Sequence, residues 1–127
     1  MPTADATLAH RFLHAFTTDD AAALRELFTE DAWWSMPGEG TISDRIEGAD
    51  AVVARAMAIR GNGVRTELLH VLVGQDGVAL SLHNTATKPD GRVLDEHLAT
   101  VLTVRGDKIA GIDTYLSDVP GMSAFFR

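Results

Sequence analysis

The stretch "LFTEDAWWSMPGEGTISDRIEGADAVVARA", Leu27 to Ala56, joins a helix end to a strand with paired tryptophans, a Met-Pro-Gly turn, a polar loop and a glycine-started helix. Ala32 to Met36 reads as a strand stopped by Pro37 and Gly38, since proline removes a ladder donor and glycine accepts turn geometry. Trp33 and Trp34 are the two tryptophans of the chain. Adjacent strand residues point to opposite faces, so one of them should line whatever the sheet encloses. A pocket is therefore the first expectation.

Upstream of this stretch, Leu8, Phe12, Ala15 and Phe16 recur at helical spacing and predict a first helix ending near Thr17. Thr18, Asp19 and Asp20 offer an N-cap and first-turn acids to a second helix with the stripe Leu24, Leu27, Phe28. Downstream, "GEGTISDRIEG" reads as a surface loop. Ala49, Val52, Val53, Ala56 and Met57 then share one face of a third helix, which Gly61 stops. The period changes after that. Val64 to Val73, Val78 to Thr87, Val93 to Val104 and Lys108 to Leu116 read as strands, and the separators "GQDG", "KPDG" and "RGD" carry hairpin chemistry. The order ααβαββββ predicts an α+β fold with three helices on one face of a curved, mainly antiparallel sheet. Phe125 and Phe126, in the tail "SDVPGMSAFFR", should pack on the body or on a partner subunit.

Composition narrows the function classes. The 127 residues read as a single domain spanning 1–127, large enough to bury a core without disulfides or metals. Hydrophobic residues make up 46% of the chain, yet no run of about 18 apolar residues is present to span a bilayer. The start "MPTADATLAH" does not read as a secretory signal. Zero cysteines remove thiol catalysis and thiolate metal sites, and agree with a cytoplasmic location. A net charge of -7, with the 11 Lys and Arg scattered, argues against nucleic-acid binding.

The segments "FLHAFTTDDAAALRELFTEDAWW", "MPG", "IEGADAVV" and "DGRVLDEHLATVLTVRGDKIAGIDTYLSD" resemble the nuclear transport factor two-like superfamily, in its SnoaL-like branch of polyketide cyclases and relatives. The resemblance covers nearly the whole chain. It implies three helices on a strongly bent sheet enclosing a conical cavity, a homodimer through the outer sheet face, and chemistry without a cofactor or metal. It also implies a hydrophobic, cyclic or polyketide-like ligand. Because members include isomerases, dehydratases, epoxide hydrolases and non-catalytic binders, the fold is better specified than the function.

Two of the family's chemistries lack their residues here. A ketosteroid isomerase mechanism implies a carboxylate and a tyrosine where this chain has Met36 and Phe12, neither of which transfers a proton. An epoxide hydrolase of the limonene type implies Tyr-x-Asn and Arg-x-Asp pairs, where this chain has Trp33 with Ser35 and His83 with Thr85. The SnoaL-like cyclase pattern fits better. It suggests Asp113 as general acid/base with His83, and Tyr115 on the same strand face as Asp113 by period-two spacing. Register at a possible bulge leaves Thr114 or Asp118 as alternatives to Asp113.

Trp33, Ser35, Met36, Phe12, Phe16, Met57, His97 and Tyr115 are the candidate substrate contacts, although the aromatic and methionine positions equally suit a core. For His83, periodicity alone places Val78, Leu80 and Leu82 inward and the Ala79, Ser81, His83, Thr85 face outward. Only the resemblance turns that polar face toward the cavity. One of Glu96 and His97 should point inward, and alternation does not say which. His10 and His14 have helical i, i+4 spacing but no carboxylate partner, so no metal site is expected there. The alternative to an enzyme is a binding or protein-interaction module of the same fold.

Overall fold

The structure, a computed structural model, describes residues 4–127. Helix α1 (Ala4–Thr17) buries Leu8, Phe12, Ala15 and Phe16 along one stripe. It ends where Thr17 and Thr18 turn their hydroxyls back onto the carbonyls of Leu13 and His14, at 2.9 and 2.7 Å. Helix α2 (Ala21–Glu26) starts at Asp20, whose carboxylate accepts the Ala23 N–H at 3.0 Å, the capping bond expected of an aspartate there. Phe28 does not continue the stripe of α2. It opens strand β1 (Phe28–Met36), which therefore starts before the expected Ala32.

Two further elements were not legible as such. Strand β2 (Asp44–Glu47) lies inside the expected loop and pairs antiparallel with β1, Trp34 opposite Ile46. Its residues lack an apolar alternation, and pairing with β1, with Ile46 packed against the core, makes it a strand. Helix α3 (Ala49–Arg60) follows as expected, and so do β3 (Arg65–Val73), β4 (Gly77–Thr87), β5 (Val93–Arg105) and β6 (Lys108–Leu116). The tail then forms helix α4 (Val119–Phe125), started by Asp118 accepting the Gly121 N–H at 3.0 Å. Seven residues are too few to display a helical period in sequence.

The sheet order is β2-β1-β6-β5-β4-β3. Every neighbouring pair is antiparallel except β1 with β6, which run parallel. Bulges at Leu68/His70 and Thr103/Val104 add the local bend that lets the sheet curl around the helices. The result is an α+β fold, a curved open sheet packed on one face by helices. No helix of the described residues is long and apolar enough to cross a membrane.

The inner and outer faces of the sheet follow from strict alternation. Leu80, Leu82, Asn84 and Ala86 of β4 are buried while Ser81, His83 and Thr85 between them are not. On β5, Leu94, Glu96, Leu98, Thr100 and Leu102 are buried, and Asp95, His97 and Ala99 are exposed. Phe125 and Phe126 are both buried against the body of the chain, the first of the two expectations for the tail.

Candidate functional site

Between the helices and the inner sheet face lies an apolar cavity. Phe12 and Phe16 of α1 form one wall, with ring centroids 6.1 Å apart, and Trp34 and Met36 of β1 form another. Met122 of α4 and the adjoining Phe126 close the end of the cone. The cavity volume is about 30 Å³, where one water needs roughly 10–15 Å³. As folded, it takes about two waters or a very small guest.

Three lining side chains are polar: Asn84, Thr100 and Thr114. None of the lining side chains titrates. The Trp34 indole N–H donates to the Thr114 hydroxyl oxygen at 2.9 Å, so that oxygen is engaged as an acceptor and its own proton stays available to a third group. Asn84 is 5% exposed, and its carboxamide oxygen is buried without a hydrogen-bond partner. Buried polar atoms are nearly always bonded, so an orphan in a cavity wall calls for a reason.

Behind this wall stands Glu96, in register with Asn84 across the β4–β5 ladder and 1% exposed. One carboxyl oxygen accepts the Asp118 N–H at 2.7 Å, at the start of α4. Burial pushes the Glu96 carboxyl above the usual carboxylate range, and hydrogen bonds from the Asp118 backbone and from Ser117 oppose that shift without cancelling it.

Arg55 of α3, also buried, braces the strand that carries Trp34. Its guanidinium donates to the carbonyls of Ser43 at 2.8 Å, Asp44 at 2.9 Å and Trp34 at 3.3 Å. It thereby ties α3 to β1 and β2, and desolvation lowers its pKa.

Of the contacts expected from the sequence, Phe12, Phe16 and Met36 line the cavity. Met57 does not. It is half-buried against the core, while Ile59 of the same helix reaches the hollow. Trp33, Ser35, His83, His97, Asp113 and Tyr115 sit in the outward phase of their strands, so the expectation that they line the cavity is corrected. The Trp33 ring lies flat over Gly111, where any side chain would collide with it, and the Arg45 guanidinium stands 4.6 Å above its face. His83 is bonded to Asp95 at 2.6 Å and stacks on His97 with centroids 4.3 Å apart.

The bond from His83 is the main reason that the Asp95 carboxyl is held below its ordinary range. Asp113 is not beside His83. In the β5 ladders His83 pairs with His97 whereas Asp113 pairs with Val101. Ser35 is in register with Asp113, and Tyr115 is 63% exposed. The alternatives left open by sequence resolve as Thr114 inward, Asp118 at the α4 cap, Glu96 inward and His97 outward.

The physical reason is that apolar alternation outweighs the resemblance. Val78, Leu80 and Leu82 claim the core, and every residue in the opposite phase must face out. That same rule offered a signal for the residues that were missed. Asn84, Glu96, Thr100 and Thr114 are polar residues standing in an apolar phase, which is where a functional or specifying group shows itself. Among the described residues no cluster of three His, Asp or Glu is arranged to hold a metal ion.

A curved sheet closed by helices around an apolar hollow with a few inward polar groups defines the class: a cone-shaped α+β protein of the nuclear transport factor two-like kind. Residues 9–112 match the model of the SnoaL-like domain, and the chain belongs to that family. An uncharacterized protein of Mycobacterium tuberculosis is 29% identical over 97% of this chain and 96% of its own length. The solved structure of Bal32a, from a soil-derived mobile gene cassette, superposes with a TM-score of 0.90 at 30% identity, covering 98% of this chain and 97% of that one. A provisionally assigned ketosteroid isomerase from Kribbella flavida shares the fold at 15% identity, with a TM-score of 0.75 over 91% of this chain and 78% of its own.

Proposed function

We propose that the chain is an acid/base enzyme of SnoaL-like type acting on a small, mainly apolar molecule held in the cone, with Glu96 exchanging the proton. The observation that carries this reading is a fully buried carboxyl on the cavity side of β5, opposite Asn84, with its pKa raised by burial. A carboxyl moved toward neutrality is a better proton shuttle than an ordinary one. Isomerisation fits this equipment. A proton leaves one carbon for Glu96 and returns to another, so the step balances with no added reactant or cofactor. Because Glu96 stands behind the lining residues, the reading requires the wall at Asn84 to part far enough to bring the carboxyl against the substrate. Asp113 and His83, on the outer face, take no part in it. That face, with Tyr115, Val93 and Leu72 exposed, is offered as a homodimer surface, which light scattering on a size-exclusion column tests.

A second reading, binding without turnover, is favoured by the absence of any titratable group in the cavity wall itself. Deuterium uptake separates the two. With cyclohexanone in D2O, the wild type should accelerate exchange beside the carbonyl, and Glu96→Gln should lose that acceleration while still binding the ketone. Binding by the wild type with no acceleration would discard the enzyme reading and leave the binding module.

A further inference from the structure

We infer that Asn84 selects the ligand by one neutral oxygen function: the site takes a compound of about one ring that carries a hydroxyl, or a carbonyl able to enolise, and no negative charge. The inference rests on the reading of the cavity as a small-molecule site, and it names what that molecule must offer.

The Asn84 oxygen is buried and bonded to nothing, and the residue stands in the cavity wall. A carboxamide both donates and accepts. It can therefore hold a carbonyl oxygen through its N–H or a hydroxyl proton through its oxygen, whichever tautomer of the ligand is present. The Thr114 hydroxyl, whose oxygen already accepts from Trp34, and the Thr100 hydroxyl in register with it are the further donors in the wall.

Negative charge is excluded on separate grounds. No lining side chain is ionisable, so an anionic guest would be desolvated without a counter-charge. The buried Glu96 behind the wall would also repel it when ionised. Size follows from the walls. Phe12, Phe16 and Trp34 present flat apolar surface, while the cavity volume of about 30 Å³ is well below that of a cavity known to admit benzene, on the order of 150 Å³. A ring must displace part of the cap. Met122 is the side chain suited to yield, because methionine is unbranched and readily changes rotamer.

Phenol, toluene and benzoate test the inference, because they share one ring and differ in the function it carries. Titration calorimetry on the full chain should show phenol binding about tenfold more tightly than toluene, the worth of one buried hydrogen bond, and no binding of benzoate. Asn84→Leu should abolish or reverse the preference for phenol. A measurement that does not depend on the variant folding is the Asn84 side-chain NH2 resonance in the wild type, which should move with phenol and stay with toluene. Equal affinity for phenol and toluene, or binding of benzoate, would overturn the assignment of Asn84 while leaving the cavity as a ligand site. If none of the three binds, the small-molecule reading of the cavity falls and the inference falls with it.

Discussion

Replacing Thr114 by valine exchanges one buried hydroxyl for a methyl of similar shape and so isolates one hydrogen bond of the cavity wall. In the native chain the Trp34 indole N–H donates to that hydroxyl at 2.9 Å, and both residues are buried. With the acceptor gone, the N–H faces an apolar hollow. An unsatisfied buried donor costs about 1–3 kcal/mol. For a domain of this size 1 kcal/mol moves Tm by about 3–5 °C, so Thr114→Val should melt about 3–15 °C below the wild type.

The decisive quantity is the coupling between the two residues. Trp34→Phe removes the donor together with part of the ring and carries its own packing cost. Once the donor is absent, Thr114→Val should add little further loss. Urea unfolding followed by circular dichroism on the two single variants and the double variant gives that coupling directly. A value of about 1 kcal/mol or more is expected, and additivity within about 0.5 kcal/mol would refute the claim that this bond shapes the wall.

Three more perturbations probe other parts of the molecule. The Glu96 carboxyl is shifted upward in the folded state. Its protonated form therefore favours folding below the ordinary glutamate range, and that contribution is lost as pH rises through the folded pKa. The stability of Glu96→Gln relative to wild type should accordingly climb with pH across that window, by at most about 1.4 kcal/mol per pH unit, then level off; a flat difference would contradict the assignment. Arg55→Met strips the donors from the carbonyls of Ser43, Asp44 and Trp34 and should cost about 3 kcal/mol, read in the same urea melts. Gly111→Val drives a side chain into the Trp33 ring, so a loss of about 1–3 kcal/mol is expected, along with a red shift in tryptophan emission as the ring leaves its seat.

The fold was legible because its long elements carry their periods in the open. The stripe of α1, the capped start of α2 and the four strands from β3 to β6 each combine alternation with a turn or cap of known chemistry. What escaped was short or depended on partners distant in sequence. Strand β2 exists through its ladder to β1, α4 through a cap and its packing against the end of the cone, and the early start of β1 through the parallel pairing of Phe28 with Ile109. The Phe28–Ile109 pair and the packing of α4 lie outside any local window, while the β2 hairpin and the Asp118 cap are local but carry no apolar period to announce them.

The site was harder for a different reason. Residues with conspicuous chemistry, His83, Asp113 and Tyr115, drew the candidate site toward the polar phase of the strands, and the resemblance encouraged it. Yet a strand has one buried phase, and on β4 it belongs to Val78, Leu80 and Leu82. Carrying that phase two residues further reaches Asn84. On β5 the phase set by Leu94 and Leu98 contains Glu96, and on β6 the phase of Ile112 contains Thr114. These groups are less reactive in water than a histidine or an exposed aspartate, but they stand where water is excluded, and burial is what changes the pKa of a carboxyl or the worth of an amide. In a hollow core the informative polar residue is the one that breaks an apolar alternation. By that criterion the paired tryptophans divide cleanly: Trp34, in the buried phase, belongs to the cavity wall, and Trp33 belongs to the outer face of the sheet.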